Sequence, residues 1–363
     1  MDPITLILFI LGFVFLIAGA DLLVRGASHL ATVLKISPVV IGLTIVAFGT
    51  SAPELAINVQ STLTGESELA IGNIVGSNIL NILLILGIAA VIVPLSISQR
   101  LIQLDVPLMI IASFLLLVLS LDGRISFWEG SFLFSGMVFY TTFSIMKCRQ
   151  TSVQPPTLDY TQKIKTPTRN KHSDIIIQLL LIIIGLGILI QGSQWLVDGA
   201  IVLAQSLGIS ELIIGLTVIS IGTSLPEIAT VVVASIRGQH ELVVGNVVGS
   251  NLLNILLVLG FSSMIAPAGI EVPRAALVFD MPVMIAVSLA CLPIFFTDYL
   301  IERWEGVLFI SFYAAYTLYL FLNATQHSLL PAFSAVMLWF VIPLTTITLI
   351  VLMWRAILSM GKD

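Results

Sequence analysis

Charge is scarce in this chain. Only 10% of its 363 residues are Asp, Glu, Lys or Arg, against about a quarter in soluble globular domains. That deficit excludes an ordinary water-soluble fold. Cysteine is almost missing too: Cys148 and Cys291 stand far apart without metal-ligand spacing, so neither a disulfide framework nor a zinc site is expected. HExxH, Walker and GxGxxG patterns do not occur, and no nucleophile–base pair lies in the apolar segments. An enzyme and an ATP-driven pump are therefore both unexpected. No cofactor and no nucleic-acid partner is expected. The N-terminus lacks a basic region and a small-residue cleavage pattern, since Asp2 precedes the first apolar run, and that run reads as a mature helix.

What is present is apolar. Hydrophobic residues make up 58% of the chain, and a helix needs about 20 of them in a row to cross the hydrocarbon layer of a bilayer. Such runs recur at 3–20, 36–53, 69–99, 106–121, 130–146, 175–197, 212–226, 242–270, 281–297, 306–326 and 328–354. They predict an all-α polytopic membrane protein of eleven spans, with the lipid bilayer as its first partner. With the N-terminus outside, thirteen of the fifteen Lys and Arg residues fall in inside loops or the tail, and only Arg124 and Arg274 stay outside. This asymmetry predicts an N-out, C-in orientation.

The polar residues that interrupt these runs do so twice over. "GTSAPE" at 49–54 returns as "GTSLPE" at 222–227, and residues 42–87 align without gaps to 215–260 with 26 of 46 positions identical. "WEG" also recurs, at 128–130 and 304–306. The offset crosses five spans, an odd number, so the second copy must lie upside down relative to the first. The predicted organisation is an inverted repeat of five plus five spans: 1–147 as the first half, 148–173 as a cytoplasmic linker, 174–326 as the second half, and 327–363 as an extra C-terminal span and tail. Inverted repeats are typical of secondary transporters, with the site near the midplane.

Pro53 and Pro226 have no N–H, so the carbonyls of Gly49 and Gly222 lose their helical partners. Directly after each proline comes a carboxylate, Glu54 or Glu227, at a depth where a charge costs at least ~2.5–3.5 kcal/mol. A bound cation relieves both problems, because carbonyls and carboxylates are the hard oxygen ligands that Ca²⁺ prefers. Thr50 and Thr223 precede the glutamates by four residues and share their helix faces, while Ser51 and Ser224 add hydroxyls beside each break. The next helices carry "GNIVGSNILN" and "GNVVGSNLLN", placing Asn73, Ser77 and Asn81, then Asn246, Ser250 and Asn254, on stripes of period four. Such stripes serve equally as glue between helices or as ligands. Gly72, Gly76, Gly245 and Gly249 between them permit close helix approach. Asn58 has Val231 as its counterpart and is set aside; Asp21, Asp105 and Asp280 read as interfacial acids pairing with Lys, Arg or water.

At these residues the sequence resembles the sodium/calcium exchanger family of cation/calcium antiporters, in its bacterial form with a short central linker. The resemblance implies cation ligands at Glu54, Glu227, Thr50, Thr223, Ser51, Ser224, Ser77, Ser250, Asn81 and Asn254, and at the backbone carbonyls of Ala47 and Ser220. It implies an inner-membrane antiporter that carries Ca²⁺ and Na⁺ as substrates. Potassium-dependent relatives carry Asp where this chain has Asn254. With Asn at both 81 and 254 the site holds two formal negative charges, enough for one Ca²⁺ or two Na⁺. An H⁺/Ca²⁺ exchanger on the same fold and a passive cation channel are the rival readings.

Overall fold

Long runs of Leu, Ile and Val leave the backbone only one way to satisfy its own N–H and C=O groups in lipid, which is the helix. The computed structural model, which describes residues 3–150, 171–207, 220–296 and 299–360, is accordingly helical apart from four two-residue strands. In chain order the helices are α1 (Pro3–Leu34), α2 (Pro38–Thr50), α3 (Ala52–Thr64), α4 (Ser67–Ile92), α5 (Leu101–Leu119), α6 (Phe127–Gln150), α7 (Lys171–Ser206), α8 (Leu225–Ile236), α9 (His240–Ile265), α10 (Ala276–Phe296), α11 (Arg303–Ala324) and α12 (330–360). Among the described residues eight helices are long and apolar enough to cross a membrane, and α2 with α3, bent by 45°, makes a ninth. The chain is a multi-span membrane protein.

The bend corrects the second span read from hydropathy. Instead of stopping at residue 53, the helix breaks at Ser51 (φ −80°, ψ 8°) and runs on to Thr64. Glu54 thus sits in the first turn of α3, near the middle of the bent pair. Gly65, at φ 81°, ends α3 in the left-handed region that a residue without Cβ enters freely. The seventh run breaks the same way, with Ser224 (φ −93°, ψ 8°) before α8. Residues 212–219 of that run, and 151–170 of the expected linker, lie outside the described residues.

At the centre, α9 and α4 are the most enclosed helices, while α12 lies at the periphery with one side against α10 and the rest exposed. Gly245 and Gly249 let α9 rest on α2: a Cβ at 249 would stand 2.7 Å from Leu43 Cα and one at 245 would stand 2.7 Å from the Val39 carbonyl. Gly72 and Gly76 have no such neighbour among the described residues. α1 and α7 pair backbone to backbone through glycines seven residues apart; a Cβ at Gly12 would meet the Gly192 carbonyl at 2.9 Å, and one at Gly19 the Gly185 carbonyl at 2.7 Å. Gly187, on the same helix as Gly185 and Gly192, makes no such contact among the described residues.

The small strands tie the halves together. β1 (Leu95–Ser96) pairs antiparallel with β4 (Leu300–Ile301), and β2 (Arg124–Ile125) with β3 (Ile270–Glu271). Each "WEG" has a local job: Glu129 accepts the Ser126 N–H at 2.7 Å and Glu305 accepts the Glu302 N–H at 2.8 Å, so both start a helix. Their glycines, Gly130 and Gly306, seat α6 against Gly260 and α11 against Gly87.

The acids read as interfacial divide. Asp21 does pair with Arg25 (2.9 Å) and with Arg237 of the other half. Asp105, however, is fully buried, where it accepts the Tyr140 hydroxyl at 3.0 Å and faces Arg100 at 3.6 Å. Asp280 takes the equivalent Tyr316 hydroxyl at 2.9 Å. Each aspartate joins two neighbouring helices through a partner some 35 residues on, which hydropathy cannot reveal.

Candidate cation site

The site forms where the two broken helices meet. Because Ser51 and Ser224 stand at the breaks, their hydroxyls leave their own helices and reach across to the opposite half. Ser224 Oγ donates to Glu54 Oε1 at 3.2 Å, and Ser51 Oγ lies 3.4 Å from Glu227 Oε1. Each carboxylate is therefore held by the other copy of the motif. Both are buried, Glu54 at 1% and Glu227 at 2% exposure, which for a lone anion is strongly unfavourable. Ser77 joins the same group through a 3.4 Å contact with Ser224. Thr50 donates to Asn246 Oδ1 at 3.3 Å and approaches the Ala47 carbonyl at 3.4 Å. That carbonyl also accepts the Ser51 N–H at 2.9 Å.

Below this pair lies a ring of four asparagines that the period-four stripes did not predict in full. Asn81 Nδ2 donates to Asn251 Oδ1 (2.9 Å) and Asn254 Nδ2 to Asn78 Oδ1 (3.0 Å). Asn78 and Asn251 in turn each donate to the other's backbone carbonyl at 3.3 Å. The ring divides the labour left open by sequence: Asn78 and Asn251 join the halves, while Asn81 and Asn254 spend their donors on the ring. Their Oδ1 atoms remain without a hydrogen-bond partner among the described residues. Sequence offered one signal for the missed pair, since both repeats keep Asn at 78 and 251 directly before the helix widens into a π-helical turn at 81–86 and 254–259.

Of the twelve predicted positions, six carry buried side-chain oxygens with no partner among the described residues: Glu54 Oε2, Glu227 Oε2, Asn81 Oδ1, Asn254 Oδ1, Ser250 Oγ and Thr223 Oγ. Ser220 lies in a single helical turn, Ser220–Gly222, whose side-chain surroundings are outside the described residues. The Gly222 carbonyl released by Pro226 is met by Ser193 Oγ at 2.9 Å, a partner from α7 that sequence did not indicate. Asn73 contributes only a 3.5 Å contact to the Glu54 carbonyl, and Asn246 supports Thr50. Asn58, set aside for lack of a counterpart, is fully buried, with its Nδ2 on the Glu54 carbonyl at 3.1 Å.

Chemically the donor set is all oxygen, with two anionic members. Among the described residues no three His, Cys, Asp or Glu side chains gather at one point, so a soft transition metal has nothing to select it. A hard cation is suited: Ca²⁺ takes about 6–8 oxygens, and two carboxylates match its charge.

Comparison with known proteins agrees. A family profile described as "Sodium/calcium exchanger protein" matches residues 4–146 and 177–322. The chain is 33% identical to the sodium/calcium exchanger MaX1 of Methanosarcina acetivorans over 88% of this chain and 99% of that protein. It is 37% identical to the inner membrane protein YrbG of Escherichia coli strain K12, over 78% of this chain and 86% of that protein. Among solved structures, the sodium-calcium exchanger NCX_Mj soaked with Na⁺ and Sr²⁺ superposes with a TM-score of 0.73 at 29% identity, covering 86% of this chain and 97% of that one. The fold, the doubled motif and the profile converge: the chain belongs to the sodium/calcium exchanger family, a family of transporters and not of enzymes.

Proposed function

We propose that the protein is an antiporter that expels Ca²⁺ in exchange for inward Na⁺ by alternating access, in the inner membrane. The observation that carries this reading is the crossed bonding of Ser51 to Glu227 and Ser224 to Glu54. One cation site is made from both halves, so it changes whenever the halves move relative to each other. Na⁺ and Ca²⁺ compete for the same oxygens at Glu54, Glu227, Thr50, Thr223, Ser51, Ser224, Ser77, Ser250, Asn81, Asn254 and the Ala47 and Ser220 carbonyls. An ion-free pair of buried carboxylates is unfavourable, so the site crosses the membrane loaded. The glycine-lined α1–α7 pair is the element that slides over the fixed core.

The strand pairs support an inverted five-plus-five arrangement with one extra span, taking α6 and α8 as spans beside the long helices. By position in the repeat, β1 corresponds to β3 and β2 to β4, yet β1 pairs with β4 and β2 with β3. Halves pointing the same way would put β1 and β4 on opposite faces of the bilayer. Inversion puts each pair on one face, with residues 1–147 and 174–326 as the two halves and 148–173 as the linker between them. With the N-terminus outside and the C-terminus inside, β1 and β4 are cytoplasmic, as the distribution of Lys and Arg favours.

The test is ⁴⁵Ca²⁺ uptake into proteoliposomes loaded with Na⁺, beside Na⁺-free and pH-gradient controls. Uptake is expected only with internal Na⁺. Uptake driven by a pH gradient alone would transfer the coupling to protons, and flux without any counter-ion would indicate a channel.

A further inference from the structure

The two halves supply the site symmetrically, but the helices leading away from it are not alike. Beyond Glu54, the buried residues of α3 are Asn58, Ser61 and Thr62, with no apolar side chain among them. At the equivalent places α8 carries Val231, Ala234 and Ser235, and the Ser235 hydroxyl is closed onto the Val231 carbonyl at 2.7 Å. Thr230, where α3 has Ile57, also buries a hydroxyl with no partner among the described residues, but Val231 and Ala234 follow it and it does not extend into a stripe.

The facing helices differ in the same sense. α3 lies along the last turns of α9, and α8 along the last turns of α4. In α9, Gly260 and Ser263 abut Gly130 of α6. Ser262 stands about 100° round from Ser263 and is fully buried, on a segment that packs against α3 as well as α6. Its equivalent in α4 is Ala89. On these two facing helices, Asn58 Oδ1, Thr62 Oγ and Ser262 Oγ have no hydrogen-bond partner among the described residues, and their residues are only 0%, 6% and 0% exposed. The Asn58 orientation is fixed, because its Nδ2 donates to the Glu54 carbonyl at 3.1 Å and a flipped amide would set two acceptors together.

Each end of the system agrees with this difference. Past Thr62, α3 opens at Gly65 onto a cavity of about 380 Å³ lined by Glu66, Glu68 and Glu271. α8 packs against α1, with Leu16 and Ala20 on Ala229 and Arg237 bound to Asp21, and the cavity of about 440 Å³ at its end is lined by Arg25, His29 and Arg237, a basic mouth that repels cations.

We propose that cations pass between Glu54 and the mouth beside Glu66 along the α3–α9 seam, with Asn58, Thr62 and Ser262 as transit ligands for a partly dehydrated Na⁺ or Ca²⁺. Oxygen atoms spaced along a low-dielectric path replace hydration water as the ion moves. The α8–α4 seam offers only the isolated Thr230 hydroxyl and serves no such passage, so the two faces of the protein exchange ions by different routes. This rests on the reading that Glu54 binds the transported cation.

Single-cysteine variants Asn58→Cys, Thr62→Cys, Ser262→Cys, Val231→Cys and Ala89→Cys, in a Cys148→Ser, Cys291→Ser background, test the route in oriented proteoliposomes with a membrane-impermeant cationic methanethiosulfonate. The seam cysteines should react from the Glu66 face at least about tenfold faster than Val231→Cys or Ala89→Cys from either face. Ca²⁺ should protect them. The double variant Asn58→Val, Ser262→Ala, which copies Val231 and Ala89 of the other seam, should lower Ca²⁺ turnover about tenfold with equilibrium Ca²⁺ affinity unchanged. Equal reactivity at Val231, unchanged turnover, or a loss of affinity matching the loss of rate would each overturn the route. Failure of the underlying reading shows separately, as Ca²⁺ binding that survives Glu54→Gln.

Discussion

Removing one carboxylate should harm the two ions unequally, and Glu227→Gln is the sharpest way to see it. The substitution keeps size and one oxygen but deletes half of the formal charge, and the Ser51 contact at 3.4 Å can persist to the amide oxygen. Charges about 3 Å apart at an effective dielectric of about 20 attract by roughly 11 kcal/mol for a divalent ion and half that for Na⁺. Most of this gross term is offset by the cost of desolvating the carboxylate, and breaking a buried pair typically leaves a net loss of about 3–5 kcal/mol. Ca²⁺ affinity should therefore fall by about two to four decades, and Na⁺ affinity by about half as many. Isothermal titration of purified wild type, Glu54→Gln and Glu227→Gln with each ion measures both. Equal decades lost for Ca²⁺ and Na⁺, or a Ca²⁺ loss below tenfold, would refute the reasoning, because charge would not then be what holds the ion.

Other predictions concern the scaffold. Ser193→Ala should leave the Gly222 carbonyl without its 2.9 Å partner and lower stability by about 1–3 kcal/mol, read as a fall in Tm; an unchanged Tm would mean that carbonyl is satisfied otherwise. Asn254→Asp replaces the donor facing Asn78 Oδ1 at 3.0 Å with a second acceptor, so it should lose stability by a similar ~1–3 kcal/mol while gaining Ca²⁺ affinity through a third negative charge. A variant with wild-type Tm would contradict the ring. Gly249→Ala pushes a methyl to 2.7 Å from Leu43 Cα, where only backbone could give way, and should cost about 1–3 kcal/mol, again measured as Tm.

The doubled Pro-Glu pair was legible because two residues unsuited to an apolar helix, repeated in register, need a common reason. The contacts of those glutamates were legible in part: Ser51 and Ser224, read beside the breaks, touch Glu227 and Glu54, and Ser77, read from its stripe, touches Ser224. What sequence hid depends on which face meets the other half. Asn78 and Asn251 lie one residue off the stripe, and only the crossing of α4 with α9 turns them towards each other. The end of the second span was misread because α3 buries Asn58, Ser61 and Thr62, a polar inner face that hydropathy reads as exit from the membrane. Ser193 and the Asp105–Tyr140 pair depend on contacts between distant helices, for which one sequence has no local signature.

The central claim is that Glu54 and Glu227 jointly hold the transported divalent ion. Anomalous diffraction from crystals soaked in Sr²⁺, an oxygen-seeking stand-in for Ca²⁺, locates the ion directly. The account predicts one dominant peak within about 2.3–2.7 Å of a carboxylate oxygen from each glutamate, lost in crystals of Glu54→Gln. A dominant peak away from both carboxylates, or one that persists in that variant, would contradict it.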